Sequence, residues 1–177
     1  MRKIVCASLL FIVSEIAFSQ DYKPVDEGSS IQFKLKNFGL NTGGKFSGLQ
    51  GIIHFDKDNL SASSFDVSID ANSVNTDNEM RDNHLREEGF FDVKKYPRIR
   101  FVSTSVKPGK ENTFEIAGKL SIKDKTNDIR FPFTITQTAE GFIFHGEFKI
   151  NRKDYGIGGS GTLSDNVTID LTVVTRK

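Results

Sequence analysis

The sequence predicts an all-β fold: an eight-stranded antiparallel barrel with a short helix covering one end. Three observations carry this. Apolar and polar residues alternate along most of the chain, turn signals separate the alternating runs at hairpin spacing, and one segment breaks the two-residue period. Two packed sheets would satisfy the same alternation. Closure into a barrel is favoured because it removes exposed strand edges.

The first strict alternation is Ile31, Phe33, Leu35 against Gln32, Lys34, Lys36, which describes a half-buried strand. A looser strand covers Phe46 to Phe55, after a turn signal at Asn41–Gly44. Phe65, Val67, Ile69 alternate strictly, behind a turn at Asp56–Asn59, and Ile99 to Val106 fits a second loose strand. The remaining four are Phe114 to Ile122, Ile129 to Ile135, Phe142 to Ile150 and Val167 to Val173, with turns at Pro108–Asn112, Asp124–Asp128 and Ala139–Gly141.

The break in period falls between the third and fourth strands. Thr76 with Glu79 three residues later reads as a capping box, and Gly89 is a natural stop, which predicts a helix of about three turns. Asp77 with Arg81 and Asp82 with Arg86 are spaced to pair on its surface, while Met80, Leu85, Phe90 and Phe91 offer apolar contacts. Tyr96 and Pro97 then give an extended lead-in to the next strand.

An eight-stranded barrel is just wide enough to be filled by side chains or to enclose one small ligand. Its inward set here mixes bulky Phe33, Phe131, Phe133, Phe142, Phe144 and Phe148 with the small residues Gly118, Gly146 and Ser103. Two interiors satisfy that contrast. One is a phenylalanine-lined slot, and the other is solid packing in which each glycine accommodates a facing ring.

Outside the barrel, residues 1–19 read as a signal peptide: Arg2 and Lys3, an apolar run from Ile4 to Val13, then small Ala17 and Ser19. Residues 20–177 form one domain of ordinary size. An exported chain, periplasmic or secreted and of Gram-negative type, is the expectation, without stable membrane insertion because no run approaches the roughly 20 apolar residues a span needs. Cys6 is the only cysteine and lies in that leader, so neither disulfides nor cysteine chemistry is expected in the mature domain. With Arg2, Lys3 and Glu15 set aside, basic and acidic residues balance, which gives no electrostatic reason for nucleic acid as a partner.

Few motifs point to bond-making chemistry. Gly156 to Gly161 matches a dinucleotide-binding pattern by letter, but a strand follows it instead of a helix, so a rim loop is expected. Arg81, Asp82 and His84 form the one charged cluster, yet Asp82 and His84 stand two apart on a helix and do not make a dyad. A metal site would need His54, His84 and His145 to converge from distant positions, and no metal or other cofactor is expected. Hydrolase motifs are absent.

Several segments in order carry a family resemblance: Ser30–Phe33, Gly44–Gly48 followed by Gly51–Phe55, Ser73–Thr76 leading into Arg81–Leu85, Phe90–Asp92, Tyr96–Phe101, Gly118–Ile122 and Asn151–Ile157. Together they resemble the YceI-like family, bacterial proteins with a lipocalin-like barrel associated with polyisoprenoid and related amphipathic lipids. Two departures stand out: Lys123-Asp124-Lys125-Thr126 where the family usually has a glycine, and Tyr155 where it often has phenylalanine. The resemblance implies a cavity holding a long-chain isoprenoid or fatty-acid-like lipid. Its tail would lie among Phe33, Phe101, Phe131, Phe133, Phe142, Phe144 and Phe148, with Arg81, Asp82 and His84 as head-group or lid residues. The leading expectation is therefore a non-catalytic lipid carrier or sensor. The alternatives are an enzyme using His84 and Asp82 on a lipid-like substrate, or a stress-related structural protein with a filled core. Association into a homo-oligomer is compatible with all three.

Overall fold

The barrel closes with eight staves, as expected, built from nine strand segments in the computed structural model, which describes residues 20–111 and 113–177. They are β1 (Asp21–Asn37), β2 (Leu40–Phe46), β3 (Gln50–His54), β4 (Ser64–Asp70), β5 (Arg98–Pro108), β6 (Phe114–Ile122), β7 (Lys125–Gln137), β8 (Phe142–Asn151) and β9 (Asn166–Arg176), with helix α1 (Glu79–Arg86) between β4 and β5. The leader expected over residues 1–19 lies outside the described residues. From β3 to β9 each strand pairs antiparallel with the next, and β9 pairs back onto β1. On its other edge β1 meets β2 along Ile31–Asn37, and β3 at Asp21 and Tyr22. β2 and β3 therefore share one stave, and the ring closes with eight.

That split stave replaces the single strand expected over Phe46–Phe55. The break is organised by a bulge in β1. Five steps from Val25 to Ser30 match only two on β9, so inward positions change from even (Tyr22, Pro24) to odd (Ile31, Phe33, Leu35). Within the bulge Asp26 turns its carboxylate to the gap and accepts the Gly48 and Leu49 N–H groups at 3.0 and 2.9 Å. These are donors that no neighbouring strand reaches.

Two turn expectations move. The β1–β2 hairpin turns at Phe38–Gly39, both with positive φ, and Asn41–Gly44 is strand. The glycines there serve close approach: a Cβ on Gly43 would lie 2.2 Å from the Phe33 carbonyl oxygen, and one on Gly44 2.6 Å from that of Asn75. Likewise β7 starts at Lys125, and the turn tightens to Lys123–Asp124, with Lys123 left-handed at φ 56°, a conformation glycine adopts at least cost.

The helix is shorter than expected and is capped differently. It spans eight residues, and Asn78 is its N-cap, accepting from the Arg81 N–H at 3.0 Å. Asp77 has φ 56° and cannot continue a helix, while the Thr76 hydroxyl is engaged with Asp82. The surface pairs Asp77–Arg81 and Asp82–Arg86 do not form, and Met80 is 83% exposed instead of packed. Leu85, Phe90 and Phe91 do face the core.

Two buried clusters fill opposite ends of the barrel. At the end that carries the β3–β4 and β7–β8 connections, Phe55 makes edge-on contacts at 5.3–6.2 Å with Phe65, Phe114, Phe133, Phe142 and Phe144, and Tyr22 packs on Phe142. These buried rings form an aromatic plug at that end. At the other end Val74, Phe91, Ile99, Tyr155 and Ile157 gather beneath α1 and the long connection from β8 to β9.

Candidate functional site

Between the plug and the helical end lies an apolar cavity of about 260 Å³. Its wall comes from every stave. Phe33, Phe101, Phe131, Phe133, Phe144 and Phe148 line it, while Phe142 is placed deeper, in the plug against Tyr22 and Phe55. The glycines do accommodate rings: a Cβ on Gly118 would fall 2.5 Å from Phe101 Cζ, and one on Gly146 3.2 Å from Phe131 Cε2. Packing of ring on glycine and an open chamber thus coexist. Ser103, the third small residue, bonds the Phe65 N–H at a bulge in β5.

An empty apolar space is costly. At roughly 24 cal/mol per Å³, a cavity of this size weakens the fold by on the order of 6 kcal/mol. That is comparable to the whole net stability of a small domain. An apolar chamber of this size suits apolar guests, which enclosed apolar cavities of roughly 150 Å³ already bind.

The rim is built by β2, α1 and residues 157–163. Arg81 reaches the cavity wall from α1, donating through Nε to Thr76 Oγ1 at 2.7 Å, through Nη2 to the Thr76 carbonyl at 2.6 Å and through Nη1 to Thr42 Oγ1 at 3.4 Å. It ties the helix to the hairpin across the mouth. Asp82 is buried and turned away from the chamber. Its Oδ1 accepts both the Thr76 N–H and the Thr76 hydroxyl, so it folds the lead-in back under the helix. His84 lies on the outer face, where Nδ1 meets Glu87 Oε2 at 2.9 Å and its ring sits edge-on to Phe90. Of the three charged candidates only Arg81 borders the cavity.

These positions separate the variants. Asp82→Ala leaves the Thr76 donors unpaired and is expected to lower stability by about 2 kcal/mol, whereas His84→Ala is expected to stay within about 0.5 kcal/mol and to leave ligand uptake unchanged. Urea unfolding and an uptake titration on the two proteins check this.

The residue that sequence reasoning missed is Arg152. It opens a 3₁₀ turn, Arg152–Tyr155, after β8 and is 3% exposed. Its guanidinium donates to the carbonyls of Ile157, Gly158, Gly159, Leu163 and Ser164 and to Asp165 Oδ1, at 2.7–3.2 Å. The glycine-rich run that resembles a phosphate cradle by letter is the reverse of one, since its carbonyls converge on a cation. Gly156 and Gly158, both with positive φ, let the chain wrap this closely. The sequence signal for it was slight: an arginine four residues ahead of a glycine-rich run, within the Asn151–Ile157 segment that carries the resemblance.

Tyr155, in the same turn, is buried, and desolvation pushes its phenol above the ordinary value of 10.0. The folded chain keeps that proton at pH values where the unfolded chain has lost it. Stability therefore falls as pH rises past about 10, and Tyr155→Phe is expected to remove that component while changing stability at neutral pH by less than about 1 kcal/mol. Urea titrations at pH 7 and 10.5 measure it.

Among the described residues, no three His, Cys, Asp or Glu side chains are grouped to hold a metal ion, and no helix is long and apolar enough to cross a membrane. A closed antiparallel barrel, plugged at one end and holding an apolar chamber beneath a helical rim, is a lipocalin-like barrel. The chain belongs to the YceI-like domain family, whose pattern matches residues 22–175. It is 32% identical to a UPF0312 protein of Pseudomonas syringae pv. tomato over 88% of this chain and 86% of that one, and 32% identical to a UPF0312 protein of Shewanella denitrificans over 98% and 97%. Among solved structures it resembles Burkholderia cenocepacia BcnA (TM-score 0.79, 25% identity, 85% of this chain and 98% of that chain) and the Campylobacter jejuni YCEI protein (0.69, 30%, 78% and 86%). A polyisoprenoid binding domain from Saccharophagus degradans shares the fold at 15% identity, with a TM-score of 0.69 over 88% of this chain and 97% of that domain.

Proposed function

We propose that this protein binds the apolar tail of a long-chain lipid, isoprenoid-like or fatty-acid-like, inside the barrel and acts outside the cytoplasm as its carrier or sensor. The observation that carries the reading is the apolar chamber, walled by ten phenylalanines and by aliphatic side chains from the staves. Burying about ten methylenes at ~0.8 kcal/mol each yields ~8 kcal/mol, which reaches the micromolar range before ordering costs. The tail alone accounts for useful affinity. Arg81 is then the group placed to meet a polar head at the mouth, while Asp82 and His84 hold and flank the lid.

Binding without bond-making fits the placement of the ionisable groups. Asp82 is spent on Thr76 and His84 faces outward to Glu87, so neither addresses the chamber. The test is a titration of delipidated protein with a fluorescent long-chain fatty acid and, in competition, a polyprenyl alcohol. One-to-one uptake at micromolar or tighter affinity is expected. Absence of saturable uptake of either compound overturns the reading.

A further inference from the structure

We propose that the tip of the β1–β2 hairpin is a wedge that docks the cavity mouth on the surface of a phospholipid bilayer. The inference rests on the lipid-binding reading above and adds where the lipid is exchanged. Of the four large apolar side chains left exposed among the described residues, three lie on the helical end: Phe38 (78%) and Leu40 (74%) at the hairpin tip, and Met80 (83%) on α1 beside Arg81. The fourth, Ile52, is on the outer barrel wall. The same hairpin walls the cavity through Leu35, Thr42 and Gly43, so the exposed tip is continuous with the chamber's lining.

The backbone at the tip is held in a costly state. Phe38 has φ 50°, a left-handed conformation unusual for a bulky side chain in a turn that favours Asn-Gly. Its N–H donates to the Thr162 carbonyl, and Asn37 accepts from the Thr162 hydroxyl, so the strained display is fixed by the rim loop. An aromatic ring presented this way gains nothing in water.

Shape and charge choose the occupant. The tip is convex and consists of few side chains, far from the roughly 800 Å² per partner of a specific protein interface. A fluid interface accepts a convex apolar tip, and lysines near it favour lipid phosphates. Lys36, two residues from Phe38 and paired with Asn41, is exposed and forms no ion pair among the described residues, whereas Lys34 is held by Asp170. Asp77 and Glu79 beside Met80 carry the opposite charge, which makes the hairpin, not the helix, the leading edge.

The chain has no tryptophan, so Phe38→Trp places a single reporter at the tip. With vesicles of phosphatidylcholine and phosphatidylglycerol its emission is expected to shift to the blue and to be quenched by brominated lipid. Ile52→Trp, on the outer barrel wall, is expected to show neither change. In otherwise native protein, Phe38→Ser with Leu40→Ser is expected to weaken vesicle binding by about 100-fold while vesicle-free uptake of the fluorescent fatty acid is retained, since neither residue lines the cavity. Unchanged indole emission from the Phe38→Trp protein on adding vesicles, or full vesicle binding by the double variant, overturns the docking proposal. Loss of uptake in all proteins, alongside a blue-shifted and quenched indole at the tip, leaves docking in place and rejects the cavity reading instead.

Discussion

Arg152→Met is expected to be the most destabilising single substitution in the domain, lowering unfolding free energy by about 3–5 kcal/mol, as is usual when one partner of a buried ionic contact is removed. Methionine matches much of the side-chain length and keeps the apolar stem packed. It leaves five carbonyls and Asp165 facing an apolar tip, and each unsatisfied acceptor costs about 1–3 kcal/mol less whatever water recovers. Arg152→Lys is expected to recover less than half, because one ammonium cannot span acceptors arranged around a planar fork. Chemical unfolding of the three proteins measures the series. A loss below about 1 kcal/mol for Arg152→Met would mean that the 157–163 loop holds its shape without the cation.

The second large effect concerns binding. Ile169 stands in the ladder between Phe33 of β1 and Phe148 of β8 and lines the chamber at mid-height. Ile169→Trp sends an indole into the space a lipid tail would occupy. Displacing three or four methylenes at ~0.8 kcal/mol each removes ~3 kcal/mol, so lipid uptake is expected to fall about 100-fold. The lipid-free variant is expected to unfold at a higher temperature than the lipid-free parent, because the ring fills apolar space that is otherwise open. Equal uptake by parent and variant would place the ligand elsewhere.

The alternation of Ile31–Leu35, Phe65–Ile69, Phe114–Ile122 and the later runs made six staves and their inward faces readable, since a half-buried strand must repeat every two residues. Depth along the barrel axis is not encoded in that period. Phe142 and Phe144 share a face and both pack in the plug, yet only Phe144 also borders the cavity. The split stave was hidden because Gly43 and Gly44 look like turn residues while serving close backbone approach, and because the β1 bulge changes which positions face inward. At the rim, Thr76 and Glu79 have the letters of a capping box, but Asp82 takes the Thr76 hydroxyl and Asn78 becomes the cap. Arg152 left no periodic trace: a buried guanidinium is recognised by carbonyls contributed from a neighbouring loop, and their convergence is a tertiary property.

Helical spacing alone separates Asp82 from His84. The two point to different surroundings, one under the helix and one outward. What spacing did not give is the division of labour among the charged residues, in which Arg81 spans the mouth, Asp82 braces the lead-in and Arg152 binds the opposite rim.

The central claim, that the chamber is kept for a lipid, is tested most directly by native mass spectrometry of protein released gently from expressing cells, with unfolding temperatures taken before and after organic extraction. The expected result is one apolar adduct per chain that disappears on extraction, together with a fall in unfolding temperature as the stabilisation from bound ligand is lost. The bare polypeptide mass, with the same unfolding temperature before and after extraction and no uptake on adding lipid back, would contradict it.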